Sequence, residues 1–186
     1  MTSSRFGERR RSPIDLRQFT TNRVRGFPRH VKLPMRKIVS GGQTGVDRAG
    51  LDAALELGLA IGGWCPRGRR AEDGAIPAIY PLLETPAEFY PERTEWNVRD
   101  SDASLILTRG KPDGGTALTA SLARRLGKPY LVIDLEAPVF SEMIGHWLAE
   151  TNPDVLNIAG PRESSQPGIY RQALEFLRTM LTSPRS

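Results

Sequence analysis

Two stretches of the chain, Gly41-Gly42-Gln43-Thr44-Gly45 and Asp113-Gly114-Gly115-Thr116, put small residues and hydroxyls at points where an apolar run gives way to a helical pattern. A helix start presents unpaired N–H groups and the positive end of its dipole. Glycine lets a ligand approach the main chain with no Cβ in the way, and Thr44 and Thr116 add hydroxyl donors. Such a pair of turns suits a phosphate. We therefore read Gly41, Gly42, Gln43, Thr44, Gly45, Gly114, Gly115 and Thr116 as candidate phosphate-binding residues.

The same residues argue against the commonest phosphate-binding motifs. Neither turn continues into Gly-Lys-Ser or Gly-Lys-Thr, so the lysine of a P-loop is missing, and the glycine spacing is not Gly-x-Gly-x-x-Gly. Beyond the second apolar run stand Arg67, Arg69 and Arg70, where an NAD site would place a ribose-binding acid. We expect no NAD. One cysteine, Cys65, makes no internal disulfide, and two isolated histidines, His30 and His146, give no metal cluster, so we expect no metal site. Cys65 reads as a small apolar residue closing a buried strand. Trp64 and Trp147 read as core, and the neighbours Glu72 and Asp73 point apart on most backbones, which makes them a poor acid/base pair.

Elements that would position these turns alternate between strand and helix. The spacing predicts a strand at residues 37–40, a helix at 46–57 stopped by Gly58, and a strand at 59–64. A short strand at 80–84 and a helix at 92–100 follow a segment rich in proline and turn residues. The second half reads as a strand at 104–108, a helix from the second glycine turn to Leu126, a strand at 130–134, a helix at 140–150, a strand at 155–159 and a closing helix at 168–181. This alternation predicts an α/β, Rossmann-like, doubly wound and mainly parallel sheet of five or six strands. If the strands starting at Lys37 and Ser104 are neighbours, both glycine turns line one crevice at the carboxyl ends of the strands.

The 186 residues carry a net charge of +5, unevenly spread. Residues 1–34 hold nine basic and two acidic side chains, +7, which leaves −2 for residues 35–186. We expect 1–34 to be a basic, disordered extension, with Met35 as an alternative start, and 35–186 to be a single ligand-binding domain. No apolar run approaches the roughly 18 residues of a membrane span, and we expect a cytoplasmic protein that does not bind nucleic acid through its core domain.

Five stretches stand out together: residues 40–52 (SGGQTGVDRAGLD), 63–74 (GWCPRGRRAEDG), 94–102 (TEWNVRDSD), 114–116 (GGT) and 156–164 (LNIAGPRES). Through them residues 35–181 resemble the molybdenum cofactor carrier proteins, within a wider Rossmann-like group that includes the lysine-decarboxylase-like phosphoribohydrolases. The resemblance implies a homo-oligomeric carrier or storage protein for molybdenum cofactor, a pterin bearing a dithiolene and a phosphate monoester. It implies that the two glycine turns hold the phosphate, and that Arg67, Arg69, Glu72, Asp73, Glu95, Trp96 and Asn97 contact the pterin edge and the metal side. The related hydrolases carry a glutamate three residues past the threonine of the second turn; here that place is Thr119, which cannot act as an acid or base near neutral pH. We accordingly expect binding without catalysis, the alternatives being a nucleotide-binding sensor or a nucleoside-monophosphate phosphoribohydrolase of the same fold.

Overall fold

The apolar run at Ala103–Thr108 forms a strand with all six residues buried, as a strand covered on both faces by helices must be. In the computed structural model, which describes residues 35–138 and 141–182, it is one of nine strands and five helices. In chain order these are β1 (Lys37–Val39), α1 (Val46–Glu56), β2 (Ala60–Gly62), β3 (Trp64–Cys65), β4 (Arg70–Ala71), β5 (Gly74–Ala75) and β6 (Leu83–Glu84). Then follow α2 (Tyr90–Arg99), β7 (Ala103–Thr108), α3 (Gly114–Arg125), β8 (Tyr130–Asp134), α4 (Ser141–Thr151), β9 (Val155–Ala159) and α5 (Ile169–Leu181). The basic extension read at residues 1–34 and the start of the helix read from Phe140 lie outside the described residues.

Five strands make one parallel sheet in the order β2-β1-β9-β7-β8. This is the Rossmann-like α/β arrangement the alternation predicts, with a correction to its register of neighbours. β1 and β7 do not pair; the last strand of the chain, β9, lies between them, with Ile38 opposite Leu156 and Leu105 opposite Ile158. Both glycine turns still open at the same edge of the sheet, separated by the chain that leaves β9.

Helices α1 and α5 pack together, with α1 also against β1, β2 and β9, while α2 packs on α3, which contacts β7 and β8. The main core joins Ile38, Leu105, Leu156 and Ile158 of the sheet to Val46 and Ala53 of α1, Trp147 of α4 and Leu177 of α5. Each large aliphatic side chain so buried contributes about 1.5–3 kcal/mol. This core fixes where α1 and α3 begin, and so where the site lies.

The strand expected at 59–64 is two strands. Gly63 has φ 126, and a Cβ there would meet the Ser40 carbonyl oxygen at 2.2 Å, so the chain turns away from β1. β2 pairs with β1, whereas β3 pairs with β6, the remnant of the strand expected at 80–84. The bend also corrects the reading of Trp64 as core: it is half-buried, and its indole N–H donates to Asp100 Oδ2 at 2.8 Å. Trp147 is core at 4% exposure, and Cys65 is fully buried, with burial pushing its thiol pKa up.

Candidate functional site

A cavity of about 210 Å³ opens beyond the carboxyl ends of β1, β9 and β7. Its walls include Gly41 and Gln43 after β1, Asn157 to Arg162 at the end of β9, Asp113 to Thr116 at the start of α3, and Arg93, Thr94 and Asn97 of α2. The two glycine turns therefore meet in one cavity, and the loop after β9 completes it.

At α3 the backbone is open to a ligand. The first intrahelical N–H bond runs from Ala117 to the Asp113 carbonyl, and Asp113, the N-cap, makes no side-chain capping bond. The N–H groups of Gly114, Gly115 and Thr116 precede it and have no partner among the described residues. A Cβ at Gly114 or Gly115 would meet nothing within 4 Å, so the space before the helix is free. Thr119, one turn on, is buried and donates its hydroxyl to the Gly115 carbonyl at 3.0 Å.

The first turn is built differently, because the N–H groups of Gln43, Thr44 and Val46 are already engaged. Gln43 N–H donates to Asp47 Oδ2 at 3.2 Å, Thr44 N–H to Gln43 Oε1 at 3.0 Å, and Val46 N–H to the Pro161 carbonyl at 3.1 Å. What this turn gives the cavity is the bare Gly41 backbone and the Gln43 side chain. Glycine at 41 makes room for Arg93: a Cβ there would lie 1.3 Å from Arg93 Nη1, so the guanidinium would have to shift. Arg93 in turn pairs with Asp47 at 2.8 Å, with side-chain exposures of 15% and 5%. The remaining lining charges are Arg162 and Asp113.

The other residues read as site candidates fall in three places. Asn97 lines the cavity, but its amide is tied to β3, accepting from Trp64 N–H and donating to the Trp64 carbonyl, both at 2.8 Å. Thr44, Gly45, Glu72 and Asp73 line a second, more open groove with Arg48, Asp52, Tyr80 and Tyr170. Gly42, Arg67, Arg69, Glu95 and Trp96 border neither. Gly42 faces Ile76 and Leu82; Arg67 pairs with Glu88 at 2.6 Å; and Glu95 pairs with Arg125 at 3.0 Å. Trp96 packs edge-on against Trp64 at 4.6 Å with Arg99 over its ring. Arg69 spends its guanidinium on the carbonyls of Ile76, Pro77, Tyr80 and Leu82 at 2.8–3.1 Å, which folds the segment between β5 and β6.

In the open groove every carboxylate is already engaged. Asp52 accepts the hydroxyls of Tyr80 at 2.8 Å and Tyr170 at 2.7 Å, and burial followed by these bonds raises both phenol pKa values, Tyr170 to about 12. Arg48 grips Asp73 with both Nη atoms. Glu72 accepts from the hydroxyls of Thr44 and Ser164 and from Ser164 N–H at 3.0 Å, tying the first turn to the loop after β9.

Burial pulls the Glu72 pKa upward, yet the Ser164 and Thr44 donors outweigh it and hold the carboxyl below its ordinary value of 4.5. A depressed folded-state pKa means that the charged clasp stabilises the fold above about 4.5 and loses that contribution as pH falls through the folded-state value. Wild type is therefore expected to exceed Glu72→Gln in denaturation midpoint at pH 7, with the gap narrowing only as the pH drops below about 4.5. A gap independent of pH between 7 and 3 would show that the charge on Glu72 is irrelevant.

Sequence reasoning passed over Arg93, Asp47, Asp113 and the Gly160-Pro161-Arg162 turn as site residues. The last had a usable signal, since it follows a strand in the manner of the two glycine turns and ligands gather at such ends.

Comparison with known proteins agrees with this architecture. The family model described as the circularly permutated YpsA SLOG family matches residues 38–181. No curated protein matches the chain. A crystal structure from Syntrophus aciditrophicus SB, named a putative molybdenum carrier protein, is 44% identical, covers 80% of this chain and 96% of its own, and superposes with a TM-score of 0.78.

Proposed function

The chain belongs to the circularly permutated YpsA SLOG family, and on that premise we propose that it binds a phosphate ester in the cavity between β1, β9 and β7, as a carrier of molybdenum cofactor. The observation that carries the phosphate is the row of unpartnered N–H groups at Gly114, Gly115 and Thr116, aided by the dipole of a 12-residue helix. Gly41 and Gln43 form the facing wall, and Arg162 adds a cation at the rim. The name of the Syntrophus relative supports a molybdenum-related cargo, and molybdenum cofactor is the one whose phosphate monoester suits this helix start.

Holding without turnover fits the lining. Of its two carboxylates, Asp47 is committed to Arg93 and Asp113 stands alone at the N-cap of α3, while Thr119, at the place of the hydrolases' glutamate, has its hydroxyl bound to the backbone. The test is to purify the protein, release its bound small molecules by heat and examine them. A fluorescent oxidised pterin phosphate is the expected product. Recovery of a nucleotide instead would replace the cargo while keeping the phosphate site.

A further inference from the structure

Gln43 is 5% exposed and lines the cavity. Its Oε1 accepts two backbone N–H groups, from Thr44 at 3.0 Å and Glu72 at 2.9 Å, which fixes the orientation of the amide. The Nε2 end is buried and has no partner among the described residues. Arg93 Nε, from another cavity-lining residue, is in the same condition. Buried donors in native proteins are nearly always matched, so two unmatched donors on residues that line one cavity mark a place for acceptors, reached by a small shift of the Gln43 amide and the Arg93 guanidinium.

The charge around them says what kind of acceptor. Arg93 is already neutralised by Asp47 at 2.8 Å, and over the whole lining Arg93 and Arg162 are balanced by Asp47 and Asp113. A second phosphate against this pair would meet the Asp47 carboxylate with no surplus cation to offset it. An uncharged ring nitrogen or carbonyl oxygen meets two N–H donors and no net charge.

We infer that Gln43 Nε2 and Arg93 Nε receive the uncharged hydrogen-bond acceptors of a heterocycle, and that the ligand carries one phosphate group, not a diphosphate. This rests on the reading of α3 as the phosphate site. It makes Gln43 and Arg93 the residues that choose among phosphate esters, whereas α3 only demands that there be one.

Calorimetric titration with inorganic phosphate, pyrophosphate, AMP and pterin-6-ylmethyl phosphate tests the inference. At least one of the two heterocycle monophosphates is expected to bind wild type about tenfold or more tighter than inorganic phosphate, with pyrophosphate within about threefold of phosphate. Gln43→Glu keeps the acceptor for Thr44 and Glu72 but turns the free donor into an acceptor. It is expected to weaken the preferred ester about tenfold more than it weakens inorganic phosphate. Pyrophosphate bound more than about tenfold tighter than phosphate overturns the inference in wild type, with no variant needed. An ester no tighter than phosphate, an ester indifferent to Gln43→Glu, or equal weakening of ester and phosphate overturns it too. Failure of wild type to bind phosphate or any ester removes the phosphate site itself, a different result from loss of selectivity at an intact one.

Discussion

Gly115→Asp is expected to lose phosphate and phosphate-ester binding by about 100-fold or more while melting at or above the wild-type temperature. A carboxylate about 4 Å from a bound phosphate costs about 4 kcal/mol per pair of unit charges at the effective dielectric of a protein surface, so 100-fold is a conservative figure. The fold tolerates the change because a Cβ at 115 meets nothing within 4 Å and its φ lies outside the positive range that strains other residues. An acidic side chain in the first turn also interacts favourably with the helix dipole, by about 0.3–1 kcal/mol. Isothermal titration and a melting curve on the same sample separate the two effects. Retained phosphate affinity in a folded variant would move the anion site away from α3.

Asp47→Asn has the largest expected effect on stability. The Asp47–Arg93 pair is held at 2.8 Å with both side chains largely out of water, and breaking such a pair costs about 3–5 kcal/mol because the survivor remains charged and buried. Asparagine keeps an oxygen for Gln43 N–H, so the loss is that of charge, not of the turn. The unpaired Arg93 then faces the cavity as a free cation. Inorganic phosphate is therefore expected to raise the melting temperature of Asp47→Asn more than that of wild type, since a ligand at 100 times its Kd restores about 2.7 kcal/mol. A variant as stable as wild type, or one less responsive to phosphate, would contradict the pairing.

Much of this fold is visible in the sequence because parallel strands buried on both faces are continuous apolar runs. The stretch at 103–108 is one, and Gly114 opens α3 within a residue of the position that its composition suggests. The bend at Gly63 is not visible. β3, β4, β5 and β6 are two-residue strands, too short for any periodicity to register, and they exist because Arg69 and local turns hold them. The place of β9 between β1 and β7 is likewise absent from local pattern, since strand order is decided by long-range packing.

The site divides along the same line. Both glycine turns announce themselves, and both reach the cavity. Composition cannot say that in the first the N–H groups of Gln43, Thr44 and Val46 are taken by Asp47, Gln43 and Pro161 while the second leaves those of Gly114, Gly115 and Thr116 bare, because local bonds to the backbone depend on conformation. Arg69 has the residue type and position of a ligand-binding arginine, yet its guanidinium is consumed by four carbonyls. Arg93 looks like an ordinary helix-surface residue, and only the fold brings it to Asp47, 46 positions earlier.

Central to all of this is the claim that an anion sits on the N–H groups of Gly114, Gly115 and Thr116. Titrating the ¹⁵N-labelled protein with inorganic phosphate and following its backbone amide resonances tests that claim most directly. The predicted result is saturable movement of the Gly114, Gly115 and Thr116 amides, with the engaged amides of Thr44 and Val46 nearly still. Saturable shifts confined to the Arg67–Asp73 segment, with the start of α3 unmoved, would contradict it.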